Sequence, residues 1–270
     1  MESKYKKVFD IMVDEPDDLY HSKSKEFLSS HALLDFIHSP ILYHQKKIGM
    51  IPNFDSAAFS LGRACHTKIL EGPEVYDERY AVGGPINPAT EKPYGALTNK
   101  YKEWANDQAK PVVCFDDNAK IKNMYGGFLQ NGEAAKLVSD GRAEGVIRTM
   151  LCGFNCQIRV DWLNIFHGIV DLKTTRCLDT FIEDAKMYGY LNQLAFYREI
   201  CFQATGLILP VYMVAVEKKA PFRCGAWCVP SSQLNSAIGN LRWHMSRLRE
   251  SLTANQWPTG FEEIREAHLI

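Results

Sequence analysis

Asp161, Asp171 and Lys173 are the residues of this chain whose types and spacing point most directly to chemistry. Asp161 lies in the segment from Cys156 to Leu163, and Asp171 and Lys173 follow in the segment that begins at Gly168. Both segments have the β-branched, alternating character of strands. Side chains two apart on a strand share a face, so Asp171 and Lys173 point together. A tight connection through 164–168 folds the two strands back on each other and brings Asp161 beside that pair. Hard carboxylate oxygens in this number suit Mg2+ or Mn2+, ions that also grip phosphate oxygens. Such an ion neutralises charge on a scissile phosphate and acidifies a bound water, while a lysine orients that water or stabilises developing negative charge. The implied chemistry is phosphodiester hydrolysis. An Asp-x-Lys pair by itself is as often a surface ion pair. What raises this one is its setting in the most apolar, strand-rich part of the chain, where uncompensated charge is costly.

Two further groups extend the trio. On a helix, Tyr190, Gln193 and Tyr197 fall along one face, a polar and aromatic stripe that can hold a phosphate or base, although aromatic helix positions are more often packing. Upstream, His66 ends a helical stretch that contains Arg63 one turn earlier. A lone helical histidine is usually structural, but near a metal site His66 is a candidate ligand and Arg63 a candidate phosphate contact.

These residues need elements to position them. A short helix is expected over 29–40, from helix-capping residues to a proline, and a second over 56–70, ending at Glu71-Gly-Pro. Residues 83–94 read as a long irregular loop, followed by helical composition at 99–109 and 117–139. Strands are expected at 144–150, 156–163 and 168–172, then a long helix over 178–205, strands at 209–216 and 225–229, and a closing helix over 232–254. The expected fold is α/β (α+β), with a central mixed sheet flanked by helices. Residues 1–140 are read as a mainly helical N-terminal part and 141–270 as an αβββαβ core of a single domain.

Composition bounds the reading. At 270 residues and 46% hydrophobic, the chain can fill a large core. No stretch resembles a membrane span or an apolar signal-peptide core, so a cytoplasmic protein is expected. Eight scattered cysteines without a secretory signal are read as reduced thiols. A formal net charge of -1 gives no global attraction to polyanions, so nucleic-acid binding needs a local basic surface. Arg148, Arg159, Lys173 and Lys186 are the candidates for it.

Taken together, Gly62-x3-His66, Ala143-Glu144, Arg159-Val-Asp161, Asp171-Leu-Lys173-Thr and Tyr190-x2-Gln193-x3-Tyr197 resemble the RecB-like branch of PD-(D/E)xK nucleases, with a restriction-endonuclease-like core. Within that branch the chain looks most like the RecE group, or exonuclease VIII, of phages and prophages. The 29–40 helix, the phrase from His66 to Pro73 and the segment from Trp257 to Phe261 carry this closer likeness. The resemblance implies a 5'-to-3' exonuclease on double-stranded DNA ends, releasing 5'-mononucleotides and leaving 3' single-stranded tails for a partner annealing protein in recombination. It also implies a homo-oligomeric ring, a trimer or tetramer. Carried over residue by residue, it makes His66, Asp161 and Asp171 metal ligands, with Leu172 adding its backbone carbonyl, and Lys173 the catalytic lysine. Glu144 falls in the metal or water shell, and Tyr190 and Gln193 are supporting residues. Two positions depart from the pattern: Val160 stands where proline is usual, and the second acid is the shorter aspartate.

Other readings weigh against this one. Some RecB-like nucleases carry an iron-sulfur cluster, and Cys152-x3-Cys156 and Cys224-x3-Cys228 invite it. No cysteine follows Cys228, however, as that arrangement requires, so the cluster is not favoured. A DNA endonuclease of the same fold and a catalytically inactive DNA-binding relative are the remaining alternatives.

Overall fold

The computed structural model describes residues 5–52 and 57–267. The N-terminal half is built from α1 (Lys6–Ile11), α2 (Asp17–Ser22), α3 (Ser30–His38), α4 (Pro40–Lys47) and α5 (Ala57–His66), which runs into a π-helical turn, Thr67–Glu71. After α6 (Pro73–Arg79), the short strand β1 (Ala81–Val82) pairs in parallel with β2 (Val112–Val113), with α7 (Asn99–Asn106) between them. α8 (Phe115–Gln130) and α9 (Gly132–Leu137) complete this half. Ser29 starts α3 as expected, its hydroxyl accepting from the Ala32 N–H. α3 stops before Pro40 as expected, but helical structure resumes there. Ser39 turns extended and Pro40 opens α4, a position where its missing N–H costs nothing. The helix expected over 117–139 is two helices, because Asn131 leaves helical geometry and caps α9 by accepting from the Ala134 N–H.

The second half carries a five-stranded sheet in the order β3 (Gly141–Leu151), β4 (Phe154–Asn164), β5 (Gly168–Thr175), β6 (Val211–Glu217), β7 (Cys224–Cys228). β3, β4 and β5 form the expected antiparallel meander, β5 and β6 are parallel, and β7 returns antiparallel. A parallel neighbour requires a crossover. It consists of α10 (Phe181–Met187) and α11 (Tyr190–Thr205), split by Gly189 at φ +70 where one helix was expected. α12 (Ser231–Ala254) closes the core.

The sheet is mixed and has helices on both faces. Ile169, Met213 and Ala215 face a core with Leu33 and Phe36 of α3, Phe196 and Ile200 of α11, and Leu241 and Met245 of α12. Their neighbours Val170, Leu172, Val214 and Val216 face a second core with Ala64 and Cys65 of α5 and Ile121 and Met124 of α8. Burial on both faces explains why β5 and β6 are nearly continuous apolar runs. It also makes any charge within them conspicuous. Val160, at the position where the resemblance has proline, is fully buried in the first core.

Candidate metal centre

β4 and β5 are paired only from Asn164↔Gly168 to Trp162↔Val170. Beyond that point the ladder opens, and Asp161 fills the gap by accepting from the Leu172 N–H through Oδ2 at 2.8 Å. The side chain thereby satisfies a backbone donor that would otherwise be orphaned. Across the opening, Asp171 is 1% exposed, and Lys173 Nζ donates to its Oδ1 at 2.8 Å and lies 2.7 Å from its Oδ2. Oδ2 itself is buried without a directed hydrogen bond, which leaves it able to accept a cation. Burial pushes the carboxyls of both Asp161 and Asp171 above the usual range, with Lys173 pulling back on each. Burial also works against the Lys173 charge, but Asp171 and Asp161 outweigh it and hold the ammonium above its ordinary value.

β3 contributes Glu144. The pairs Ala143↔Trp162 and Gly145↔Val160 place it opposite Asp161, and its φ of +54 is a left-handed conformation in mid-strand that a glutamate rarely adopts. Arg159 holds it there, with Nε 2.7 Å from Glu144 Oε2, while its Nη1 lies 2.5 Å from Asp17 Oδ1 on α2. Burial, followed by the neighbouring Asp161, raises the Glu144 carboxyl to about 8. His66 reaches the same place from the end of α5, its Nδ1 3.9 Å from Asp161 Oδ2. Burial and the nearby Lys173 lower this imidazole to about 4, against the opposing pull of Asp171 and of the Leu172 backbone. His66 is therefore neutral at pH 7, the form that can donate a lone pair to a metal.

Ligand atoms of His66, Glu144 and Asp161 lie within 4.8 Å of one another, and this is the one such group among the described residues. One imidazole nitrogen and two carboxylates form a donor set that fits a divalent metal, and Asp171, also expected as a ligand, stands outside this group and bonds Lys173. The π-helical turn after His66 is tied down outside the cluster, where Arg79 donates to both oxygens of Glu71 at 2.6 and 2.5 Å.

The other expected residues are placed as follows. Tyr190 opens α11 with its ring 5.0 Å from Lys173 Nζ. Gln193 Nε2 donates to the Tyr197 hydroxyl at 3.2 Å, and both side chains are buried. Both face the interior, so the stripe is not an exposed one. Arg63 is exposed on α5, with Nη2 3.4 Å from Ser60 Oγ. Of the cations expected to line a basic channel, Arg148 is paired with Glu15 and Gln157, and Arg159 with Glu144 and Asp17. These two guanidiniums organise the protein and are not presented to a polyanion. The role of Arg159 was missed in the sequence. Its signal was there, since it lies two residues before Asp161 and so on the same face of β4.

The family model described as "PDDEXK-like domain of unknown function (DUF3799)" matches residues 29–267. The crystal structure of a candidate exonuclease from Eubacterium rectale is similar over 96% of this chain and 97% of that one, with a TM-score of 0.65 at 16% identity. No curated protein matches the chain.

Proposed function

The chain belongs to the PDDEXK-like domain family DUF3799, and from that premise we propose that it is a metal-dependent exonuclease that degrades double-stranded DNA from 5' ends. In this reading it releases 5'-mononucleotides and leaves 3' single-stranded tails for recombination by strand annealing. The observation that carries the hydrolase assignment is the buried Asp171–Lys173 pair at the opening between β4 and β5, facing the His66, Glu144 and Asp161 cluster. The direction of attack, the ring-shaped homo-oligomer and the annealing partner rest on the resemblance to the RecE group. The similarity over nearly the whole length of both chains to the structure of a candidate exonuclease is in keeping with an end-directed enzyme.

His66, Asp161 and Asp171, with Glu144 and the Leu172 carbonyl beside them, would hold Mg2+ or Mn2+. Bound there, the ion supplies Lewis-acid stabilisation of the phosphate and a more acidic water. The protein's own groups do the rest. Lys173, held charged by Asp171, presents an ammonium to the attacked phosphate and stabilises negative charge as it develops. The Leu172 N–H fixes the Asp161 carboxylate, and Arg159 fixes Glu144, so the ligand set is organised before substrate arrives. Tyr190 covers Lys173 and limits its rotamers. Gln193 and Tyr197 position α11 behind it.

The test is digestion of a linear duplex labelled at either the 5' or the 3' end, with closed circular DNA alongside. Early release of the 5' label from linear DNA alone is expected. Cleavage of the circle would replace this reading with an endonuclease, and absence of cleavage on any substrate would point to an inactive DNA-binding relative.

A further inference from the structure

The turn between α10 and α11 exposes two large side chains beside the metal centre, and the reaction as described uses neither. Met187 is 70% exposed and Tyr188 60% exposed. The Tyr188 ring lies 5.9 Å from that of Tyr190 at an interplanar angle of 33°, and the Tyr190 ring in turn lies 5.0 Å from Lys173 Nζ. A continuous line of aromatic surface thus runs from the catalytic lysine out to solvent. The turn that carries it is firmly held. The Tyr188 N–H donates to Asp184 and the Gly189 N–H to Lys186, while the N–H groups of Asn192 and Gln193 both donate to the Gly189 carbonyl. Gly189 backs onto α3, where an added Cβ would stand 3.4 Å from Leu34 Cδ2.

A rigid, exposed aromatic and thioether pair does not gain by facing water. Its position relative to Lys173 defines what it can meet. Along one strand of a duplex, nucleotides follow at about 3.4 Å. The two steps from Lys173 to Tyr188 therefore reach a base no more than about three nucleotides from the scissile phosphate. An aromatic face at that range stacks on a base of any identity, as an enzyme without sequence preference requires. Lys186, exposed in the last turn of α10, lies beside it as a neighbouring cation for the backbone.

We propose that Tyr188, flanked by Met187, is a base-stacking platform that receives a nucleobase of the DNA strand being degraded, next to the scissile phosphate. This assignment rests on the nuclease reading above. It makes Tyr188 a substrate-binding residue, distinct from the Tyr190 that covers the lysine.

The test is binding of a short duplex with a single-stranded 5' extension in Ca2+, a probe for binding without turnover, by the full chain and by Tyr188→Ala and Tyr188→Phe. A 5-iodouracil placed one to three nucleotides from the 5' end allows photocrosslinking. The expected results are a crosslink to Tyr188, a loss of about 10-fold or more in affinity for Tyr188→Ala, and near-native affinity for Tyr188→Phe. The dependence of affinity on salt should be unchanged in Tyr188→Ala, because stacking, unlike a phosphate contact, releases no counterions. Wild-type binding with equal affinity in Tyr188→Ala, or a crosslink confined to other residues, would overturn the platform and leave the nuclease assignment standing. Failure of the wild-type chain to bind DNA at all would overturn both.

Discussion

At the scale of single residues, the centre depends on side chains that hold other side chains. Arg159 is the clearest case. It connects Glu144, strained at φ +54, to Asp17, which lies 142 residues before Arg159 in the sequence. Asp17 is itself pulled down to about 2, chiefly by its hydrogen bond from His21 and then by the charges of His21, Arg159 and Arg63, against the opposing effect of burial. Truncating Arg159 releases the Glu144 carboxylate from its place beside Asp161. Arg159→Ala is expected to weaken Mn2+ binding about 10- to 100-fold by titration calorimetry, the range found when a residue that orients a ligand is lost. Unchanged affinity would show that Glu144 needs no such support. Lys173→Met should behave oppositely. It keeps the stem and removes the charge, so hydrolysis should fall about 100- to 1000-fold while metal affinity holds or rises, since a cation beside the site is gone. Asp161, Asp171 and Lys173 were legible in the sequence because two strands with a period of two and a short connection leave little freedom in where they meet. The left-handed Glu144 was not, because the alternation of β3 continues on both sides of it. Nor was its link to Asp17, which only the folded chain brings near.

At the scale of elements, the informative differences from expectation lie at helix breaks. Residues 178–205 have continuous helical character, yet Gly189 adopts φ +70 and divides them, turning Tyr188 outward and Tyr190 inward over Lys173. The sequence does not reveal this because a lone glycine is tolerated inside a helix at about 1 kcal/mol. Its role here is set by the approach of α3. Gly189→Ala is expected to cost about 1–2 kcal/mol, the penalty for an L-residue in the left-handed region. That is a fall of about 2–8 °C in Tm for a chain of this size. An unchanged melting temperature would mean that the two helices can merge without loss. The meander from β3 to β5 and the final helix α12 came out close to expectation, since their apolar periodicity is the same signal that buries them. α4 did not, because a proline that ends one helix can equally begin the next.

At the scale of the whole molecule, charge is arranged so that acids neutralise the arginines of the sheet. Glu15 is lowered to about 2, first by its hydrogen bond from Arg148 and with help from Lys23. Glu217 is likewise lowered to about 2 by Arg223, and also accepts from the Leu178 N–H. A carboxyl with a depressed value in the folded state adds stability above its unfolded value of 4.5, and that stability is lost as pH falls toward 2. Denaturant unfolding should therefore show the chain weakening steadily between pH 4.5 and 2. Glu217→Gln should be less stable at pH 7 and show a shallower decline across that window. A slope identical to wild type would remove the Glu217–Arg223 pair from the account. Among the described residues no helix is long and apolar enough to cross a membrane.

The most direct test of a metal-dependent nuclease centred on Asp171 is hydrolysis of a linear duplex by the wild-type chain and by Asp171→Asn, each with Mg2+ and with EDTA, after circular dichroism has shown both to be folded. We predict rapid hydrolysis by wild type in Mg2+, none in EDTA, and a loss of about a thousandfold or more in the variant, because an amide keeps the shape but forfeits the charge that holds the metal. Wild-type cleavage that persists in EDTA, or an Asp171→Asn variant that retains the wild-type rate, would contradict it.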